Sequence, residues 1–124
     1  MNRIVRVLIV AVALAGAGRI ASAADYPGPH EAGPTIYTKV FENERIRVSV
    51  IKFEPGESIP MHHHSYDHEL YILEAGQLTI TKPDGTVSVV DAKVGDVMFM
   101  GMEDHEAKNT GPTTFRAVVT EIKK

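Results

Sequence analysis

The chain has 124 residues, enough for one domain, with 13 basic and 16 acidic side chains and no cysteine. The lack of cysteine excludes disulfide bridges, thiolate metal ligands and a cysteine nucleophile. No basic stripe is present to neutralise phosphates, which argues against nucleic acid as a partner.

The first 23 residues have the three-part pattern of a secretory signal peptide. Arg3 and Arg6 precede an uncharged run at residues 7–18, and the small residues 21–23 follow as a cleavage site. The uncharged run has only twelve residues, whereas a membrane-spanning helix needs about 20. We therefore expect a mature protein that begins near Ala24, is periplasmic or secreted, and has no membrane contact after cleavage.

Removal of this leader makes the protein more acidic. Three of the 13 basic residues and none of the 16 acidic ones lie in the leader. The mature chain therefore keeps ten basic and sixteen acidic residues, a formal charge of −6 with neutral histidines. Such a charge disfavours binding to phosphates and to anionic membrane surfaces. The expected partner is therefore a small molecule rather than nucleic acid or lipid.

Two segments follow the leader. Residues 24–35 are rich in proline and glycine and predict an extended arm or linker, in which we expect His30 to be a solvated loop residue. Residues 36–124 carry strand signals, such as the polar–apolar alternation of residues 45–50 and a hairpin signal at residues 82–85. Short strands separated by frequent turns predict a single all-β sandwich or barrel.

Two predicted strands are apolar on both faces. They are residues 70–73 and 97–100. A strand in a small barrel has one face in water unless something covers it. A second copy of the chain is the simplest cover, so we expect a homodimer.

A histidine-rich stretch is the candidate functional site. His62 and His64 are two residues apart, so they leave the same face of a strand, and Glu69 follows at the start of the next strand. In residues 105–109 small or neutral side chains alternate with charged ones, which predicts that His105 faces inward. Three imidazoles and a carboxylate suit one divalent Fe, Mn, Ni, Cu or Zn ion.

Other readings of these residues compete with this one. If the strands are regular, His63 and His68 point away from their ligand neighbours and lie around the site or at the surface. Asp67 is an alternative to Glu69 as the acidic ligand, and a solvated polar loop is the alternative to a metal site. Thioether ligands would indicate copper, but methionines at strand positions usually fill the core, which we favour here for Met61, Met98, Met100 and Met102.

The spacing Gly56-x5-His62-x-His64-x4-Glu69-x6-Gly76 resembles the first motif of the cupin family. The second cupin motif, G-x5-P-x-G-x2-H-x3-N, is resembled less closely. Glycine stands at position 101 where proline is expected, Glu103 replaces the second glycine, and the spacing to His105 is one residue short, although His105-x3-Asn109 fits.

The resemblance implies a jelly-roll β-barrel with one metal held by His62, His64, Glu69 and His105. It also implies a metal-dependent enzyme for a small, oxygen-rich organic substrate, with a dioxygenase-type oxidoreductase as the leading expectation and Glu69 as its catalytic base. A metal-dependent lyase or isomerase is an alternative. Because a fold does not fix a function, a non-catalytic exported module that binds a metal or a small ligand is another.

Overall fold

The computed structural model describes residues 7–9 and 26–124. The rest of the predicted signal peptide and its cleavage site lie outside the described residues, so leader cleavage and export stay predictions. In the part that is described, no helix has the length and apolar character needed to cross a membrane.

The described residues form ten strands and one short helix. The elements are β1 (Val7–Ile9), α1 (Pro29–Ala32), β2 (Tyr37–Glu42), β3 (Ile46–Phe53), β4 (Ser58–His64), β5 (Asp67–Glu74), β6 (Gly76–Thr81), β7 (Val87–Ala92), β8 (Val97–Met100), β9 (Glu103–Asn109) and β10 (Phe115–Ile122). One sheet has the order β1-β8-β5-β10-β3-β2, and the other has the order β4-β9-β6-β7. This all-β, two-sheet arrangement is the predicted jelly roll.

Strand β10 is central to the larger sheet and shows how the barrel is filled. Its buried residues alternate with half-buried ones, and it pairs antiparallel with both β3 and β5. At its first residue, Phe115 lies opposite Phe53, and their rings pack edge to face with centroids 6.3 Å apart. At its other end, Glu121 lies opposite Arg47 on β3 and His68 on β5. One end of the barrel is therefore apolar, and the other is lined with ionisable groups.

The predicted hairpin at residues 82–85 joins β6 to β7. Lys82 N–H donates to the carbonyl of Thr86, and Gly85 N–H donates back to the carbonyl of Lys82. Gly85 has φ +85°, a left-handed conformation that glycine adopts without steric cost. The turn chemistry thus fixes the antiparallel register of β6 and β7.

The arm predicted before the barrel is docked rather than free. It contains α1, and the backbone N–H of His63 donates to the carbonyl of Pro27 at 2.8 Å. Strand β4 is at the edge of its sheet, so the arm supplies a partner for an edge group that would otherwise need water. Gly33 packs so closely on Ile59 that an added Cβ would lie 2.6 Å from its Cδ1.

The expectation that His30 is a solvated loop residue is wrong. Its Nε2 lies 2.7 Å from the hydroxyl oxygen of Ser49, a side chain only 1% exposed. Its ring also packs edge to face on Tyr37, with centroids 5.1 Å apart. The docked arm brings His30 to the barrel wall, a contact that local sequence does not reveal.

Candidate metal centre

A bulge in β4 turns His62 and His64 into the barrel. Ile59 pairs with Ala107 and His62 with His105, so three steps along β4 match two steps along β9. The extra residue changes which face the strand presents, and Ile59, His62 and His64 are all buried as a result. A regular strand would bury either Ile59 or the histidines, but not both.

Strand β9 brings the third imidazole. His105, Ala107 and Asn109 are buried, whereas Glu106 and Lys108 are exposed, which is the predicted alternation. His105 lies directly across the sheet from His62. Ring nitrogens of His62, His64 and His105 lie within 4.8 Å of one another, and the two Nε2 atoms of His62 and His64 are 2.9 Å apart. The structure therefore brings these three predicted residues together.

The predicted orientations of His68 and Glu69 on strand β5 are corrected by the structure. His68, expected to point away from the site, is 2% exposed and stacks on the His64 ring with centroids 4.0 Å apart. Glu69, expected as a metal ligand and catalytic base, is half-buried on the other face of β5, where it pairs in register with Thr120. The reason is parity: Leu70 and Ile72 occupy the core, so the residue two before Leu70 also faces inward.

Hydrogen bonds fix the orientation of three of the four rings. The Nδ1 atom of His62 lies 2.8 Å from the carbonyl oxygen of Pro60, and that of His68 lies 3.1 Å from the carbonyl oxygen of Tyr66. A carbonyl oxygen only accepts, so each Nδ1 carries the proton. In the neutral ring, Nε2 then has a free lone pair.

His105 is oriented by a carboxylate. Its Nδ1–H donates to Oε1 of Glu103 at 2.9 Å, and Oε2 of Glu103 accepts from the Lys82 ammonium at 2.9 Å. Burial opposes ionisation of Glu103, but the hydrogen bonds from His105 and Lys82 prevail and lower its pKa to about 2. An ionised carboxylate behind an imidazole is the usual support of a metal-binding histidine.

His64 has an unmet requirement. In the described part of the chain its Nδ1 is a buried atom with no hydrogen-bond partner, while its Nε2 faces Nε2 of His62. The Nε2 atom of His62 has no proton to give. If His64 carries its proton on Nε2, it donates to His62 and the lone pair on its own Nδ1 is unsatisfied. If His64 carries its proton on Nδ1, that N–H has no acceptor and the two Nε2 lone pairs face each other. Ring nitrogens this close together could be held by a single ion, which would use the lone pairs that the protein leaves unsatisfied. The donor set therefore fits a divalent ion.

Three of the imidazoles, those of His62, His64 and His68, are held in the neutral state that metal binding requires. Burial, helped by the nearby His105, lowers the pKa of His62 to about 3. Burial and the neighbouring imidazoles also put the pKa of His64 well below its ordinary value, and burial lowers that of His68. Neutral rings keep their lone pairs available at neutral pH.

The remaining named residues lie around the centre. His63 points to the other side of β4 and bonds Asp104 at 2.6 Å, in line with its expected role outside the ligand set. Asp67 is half-buried on the same face of β5 as Glu69 and does not join the histidine cluster. Met98 and Met100 are core residues, whereas Met102 is 54% exposed.

Asn109, the last residue of the second motif, has a structural role. Its amide nitrogen donates to the carbonyl oxygens of Phe53 at 3.0 Å and Thr113 at 2.8 Å, and its carbonyl oxygen accepts from Gly111 N–H at 3.0 Å. It thus ties the loop after β9 to β3. Because β9 carries His105, this anchor holds one side of the site.

Sequence reasoning did not identify two polar groups of the larger sheet. One is the His30–Ser49 contact, and the other is the ion pair of Arg47 with Glu121, at 3.3 Å, in which the acid is almost fully buried. Burial, partly offset by Arg47, raises the pKa of Glu121. An acid at the last inward position of an alternating strand was the available signal.

Comparison with known proteins identifies the family. Residues 49–121 match the profile described as a cupin domain, which is more than half of the chain. The chain belongs to the cupin family. A search of curated proteins found no match.

Solved cupin structures have the same fold. A cupin domain from Bordetella pertussis Tohama I is 28% identical, with a TM-score of 0.67, and the match covers 81% of this chain and 98% of that one. A cupin superfamily protein from Desulfitobacterium hafniense DCB-2 is 21% identical, with a TM-score of 0.55 and coverage of 72% and 77%. The polyketide cyclase RemF from Streptomyces resistomycificus is 21% identical, with a TM-score of 0.58 and coverage of 86% and 80%. At such identities the last two support the fold alone.

Proposed function

We propose that this cupin is a metal-dependent enzyme that acts on a small, oxygen-rich organic molecule. The observation that carries the proposal is the buried cluster of His62, His64 and His105, whose ring nitrogens lie within 4.8 Å of one another. His68 is not one of these three histidines. We propose it as a fourth ligand in place of Glu69 that rotates toward the ion on binding, because its buried ring adjoins His64 and its Nδ1–H is engaged by a backbone carbonyl, which leaves Nε2 free.

A ligand set of imidazoles alone narrows the choice of metal. Imidazole suits zinc, copper, iron and nickel, whereas manganese prefers oxygen ligands. With Glu69 outside the cluster, manganese loses its expected carboxylate. We therefore propose iron, copper, nickel or zinc as the resident ion.

The surrounding residues define what the site can do. A bound ion of this kind would polarise a substrate oxygen as a Lewis acid, and a redox-active one would support oxidation by O2. Glu103 holds His105 in place, and the apolar half of the barrel closes the site from one end. Because iron and copper are among the metals that imidazoles favour, we propose a dioxygenase-type oxidation as the first reaction to test.

One observation favours a second function. The carboxylate expected as the catalytic base, Glu69, points out of the barrel. Without it, the described residues place no carboxylate within the three-histidine cluster. A non-catalytic module that holds a metal or a small ligand is therefore the second candidate, ahead of a lyase or isomerase, whose reactions also need a base.

Metal analysis followed by turnover assays tests the proposal. Protein purified without added ions is analysed for metal, then reconstituted separately with Fe(II), Cu(II), Ni(II) and Zn(II). Oxygen uptake and product formation are measured with a panel of phenolics, diketones and short hydroxy acids. We expect about one ion per chain and oxygen uptake with at least one substrate. Stoichiometric metal without turnover would favour the binding module.

Ligand variants provide the control. His64→Ala and His105→Ala should each abolish stoichiometric metal. His63→Ala is the matched variant, since His63 lies in the same run but faces Asp104 outside the cluster, and it should keep the metal. Full metal content in both His64→Ala and His105→Ala would refute the site.

We also propose that the mature protein is exported and forms a homodimer. Tyr71 on β5 and Phe99 on the neighbouring β8 are 43% and 46% exposed, although both are large and apolar. A second copy covering this face would remove them from water.

A further inference from the structure

A cavity lies at the seam between β7 and β8, where the two sheets meet near the histidine cluster. Its volume is about 100 Å³. The apolar wall is formed by Ile80, Val90 and Met100, with Phe99 beside them. The polar wall is formed by Lys82, Ser88 and Glu103. This cavity therefore adjoins the carboxylate that orients His105.

The polar wall has free hydrogen-bond donors on Lys82 and Ser88. Both carboxylate oxygens of Glu103 are engaged, one by His105 and the other by Lys82. The Lys82 ammonium has three N–H groups, of which one goes to Glu103, so two remain. The hydroxyl of Ser88 adds an O–H donor. A ligand that uses these N–H and O–H groups must offer an acceptor oxygen.

The volume limits the size of that ligand. A cavity of about 150 Å³ in another protein holds benzene, which has six non-hydrogen atoms, so about 100 Å³ suits a smaller molecule of about four. The apolar wall suits a short alkyl group, since aliphatic side chains cover that side of the cavity.

We propose that this cavity binds a short-chain carbonyl or carboxylate compound. Its oxygen accepts hydrogen bonds from Lys82 and Ser88, and its alkyl group packs against Val90 and Met100. Lys82 then donates both to the ligand and to Glu103, so it links the ligand to the carboxylate behind His105. The inference rests on the proposed function only where it makes this ligand the substrate of the metal centre.

Ligand-observed saturation-transfer NMR on the full protein tests it with four probes. Acetate and acetone are small enough and both offer an acceptor oxygen and a methyl group, isopropylammonium is of the same size but offers only donors, and benzoate is too large. We expect binding of acetate, of acetone or of both, which also separates the carboxylate from the neutral carbonyl. Isopropylammonium and benzoate should not bind.

Matched variants on one strand locate the binding. Val90→Phe fills the cavity and should weaken binding at least tenfold, whereas Val89→Phe, at a 58% exposed position, should leave it unchanged. Lys82→Met and Ser88→Ala should each weaken it at least threefold while circular dichroism stays as in the wild type. Wild-type affinity in Val90→Phe, binding of neither oxygen probe, or equal binding of isopropylammonium would overturn the proposal.

Metal content measured on the same samples separates the two hypotheses. Probe binding without stoichiometric metal would leave the cavity assignment in place and refute the metal-dependent function. Stoichiometric metal without probe binding would refute the cavity assignment alone.

Discussion

Replacement of Glu103 by leucine tests how the metal centre is held. The change removes the carboxylate that accepts the Nδ1–H of His105, a residue 4% exposed, and leaves that N–H buried without an acceptor. Lys82 also loses its partner, but its side chain is 20% exposed and can reach water. The principal loss is therefore at His105.

Two routes give the size of the effect. Loss of a partner behind a metal-binding histidine typically weakens metal affinity 10–100-fold, which corresponds to about 1.4–2.8 kcal/mol. A hydrogen bond to a charged group contributes about 1.5–3 kcal/mol. Because the two ranges overlap, we expect the metal dissociation constant of Glu103→Leu to rise by about 10–100-fold.

Competition titration with a chromophoric chelator measures this change with Zn(II) and Co(II). Glu106→Leu is the matched control, since Glu106 is exposed on the other face of β9, and its affinity should equal that of the wild type. Glu103→Gln keeps an acceptor oxygen and should lose about tenfold or less. A folded Glu103→Leu protein with wild-type affinity would refute the assignment of Glu103 as the support of His105.

Four further outcomes are expected. His68→Ala should lower metal affinity at least tenfold in a chelator competition, and Glu69→Ala should leave it unchanged. A loss of affinity in Glu69→Ala but not in His68→Ala would instead indicate Glu69 as the ligand. In the metal-free protein, the low pKa of His62, about 3 against 6.5, means that only the unfolded chain takes up its proton as pH falls. The contribution of His62 to the free energy of unfolding is therefore complete above pH 6.5 and is lost toward pH 3. Urea unfolding should show a loss of about 2 kcal/mol at pH 5, and equal free energies of unfolding at pH 7 and 5 would contradict this. Asn109→Ala should lower the free energy of unfolding by about 2–4 kcal/mol in the same assay, and a decrease below about 0.5 kcal/mol would contradict the role of Asn109 as an anchor. Phe99→Glu should give a monomer by light scattering if the β5–β8 face is the dimer interface, and an unchanged mass would exclude that face.

Most of the fold follows from short-range signals in the sequence. The hairpin at Gly85 and the alternation of residues 105–109 are local, and both predict the strand faces that the structure has. The resemblance to the cupin motif supplied the jelly-roll architecture, which alternation alone does not specify.

The site was predicted less completely, for identifiable reasons. Residues 68–73 read as His-Glu-Leu-Tyr-Ile-Leu, so either set of alternate positions carries two apolar residues, and periodicity cannot choose between His68 and Glu69. The ion pair of Lys82 with Glu103 joins positions 21 residues apart and is invisible before the strands are placed. The docking of His30 on Ser49 depends on an edge strand whose neighbour could not be known.

The bulge in β4 makes the chemistry of this barrel dependent on chain length as well as on residue type. Deleting one residue between Ile59 and His62 would restore a regular strand, and both imidazoles would rotate to the outside while every histidine remained in the sequence. An inventory of conserved ligands would count such a relative as metal-competent. A single insertion or deletion at this point could thus abolish metal binding while the fold is kept.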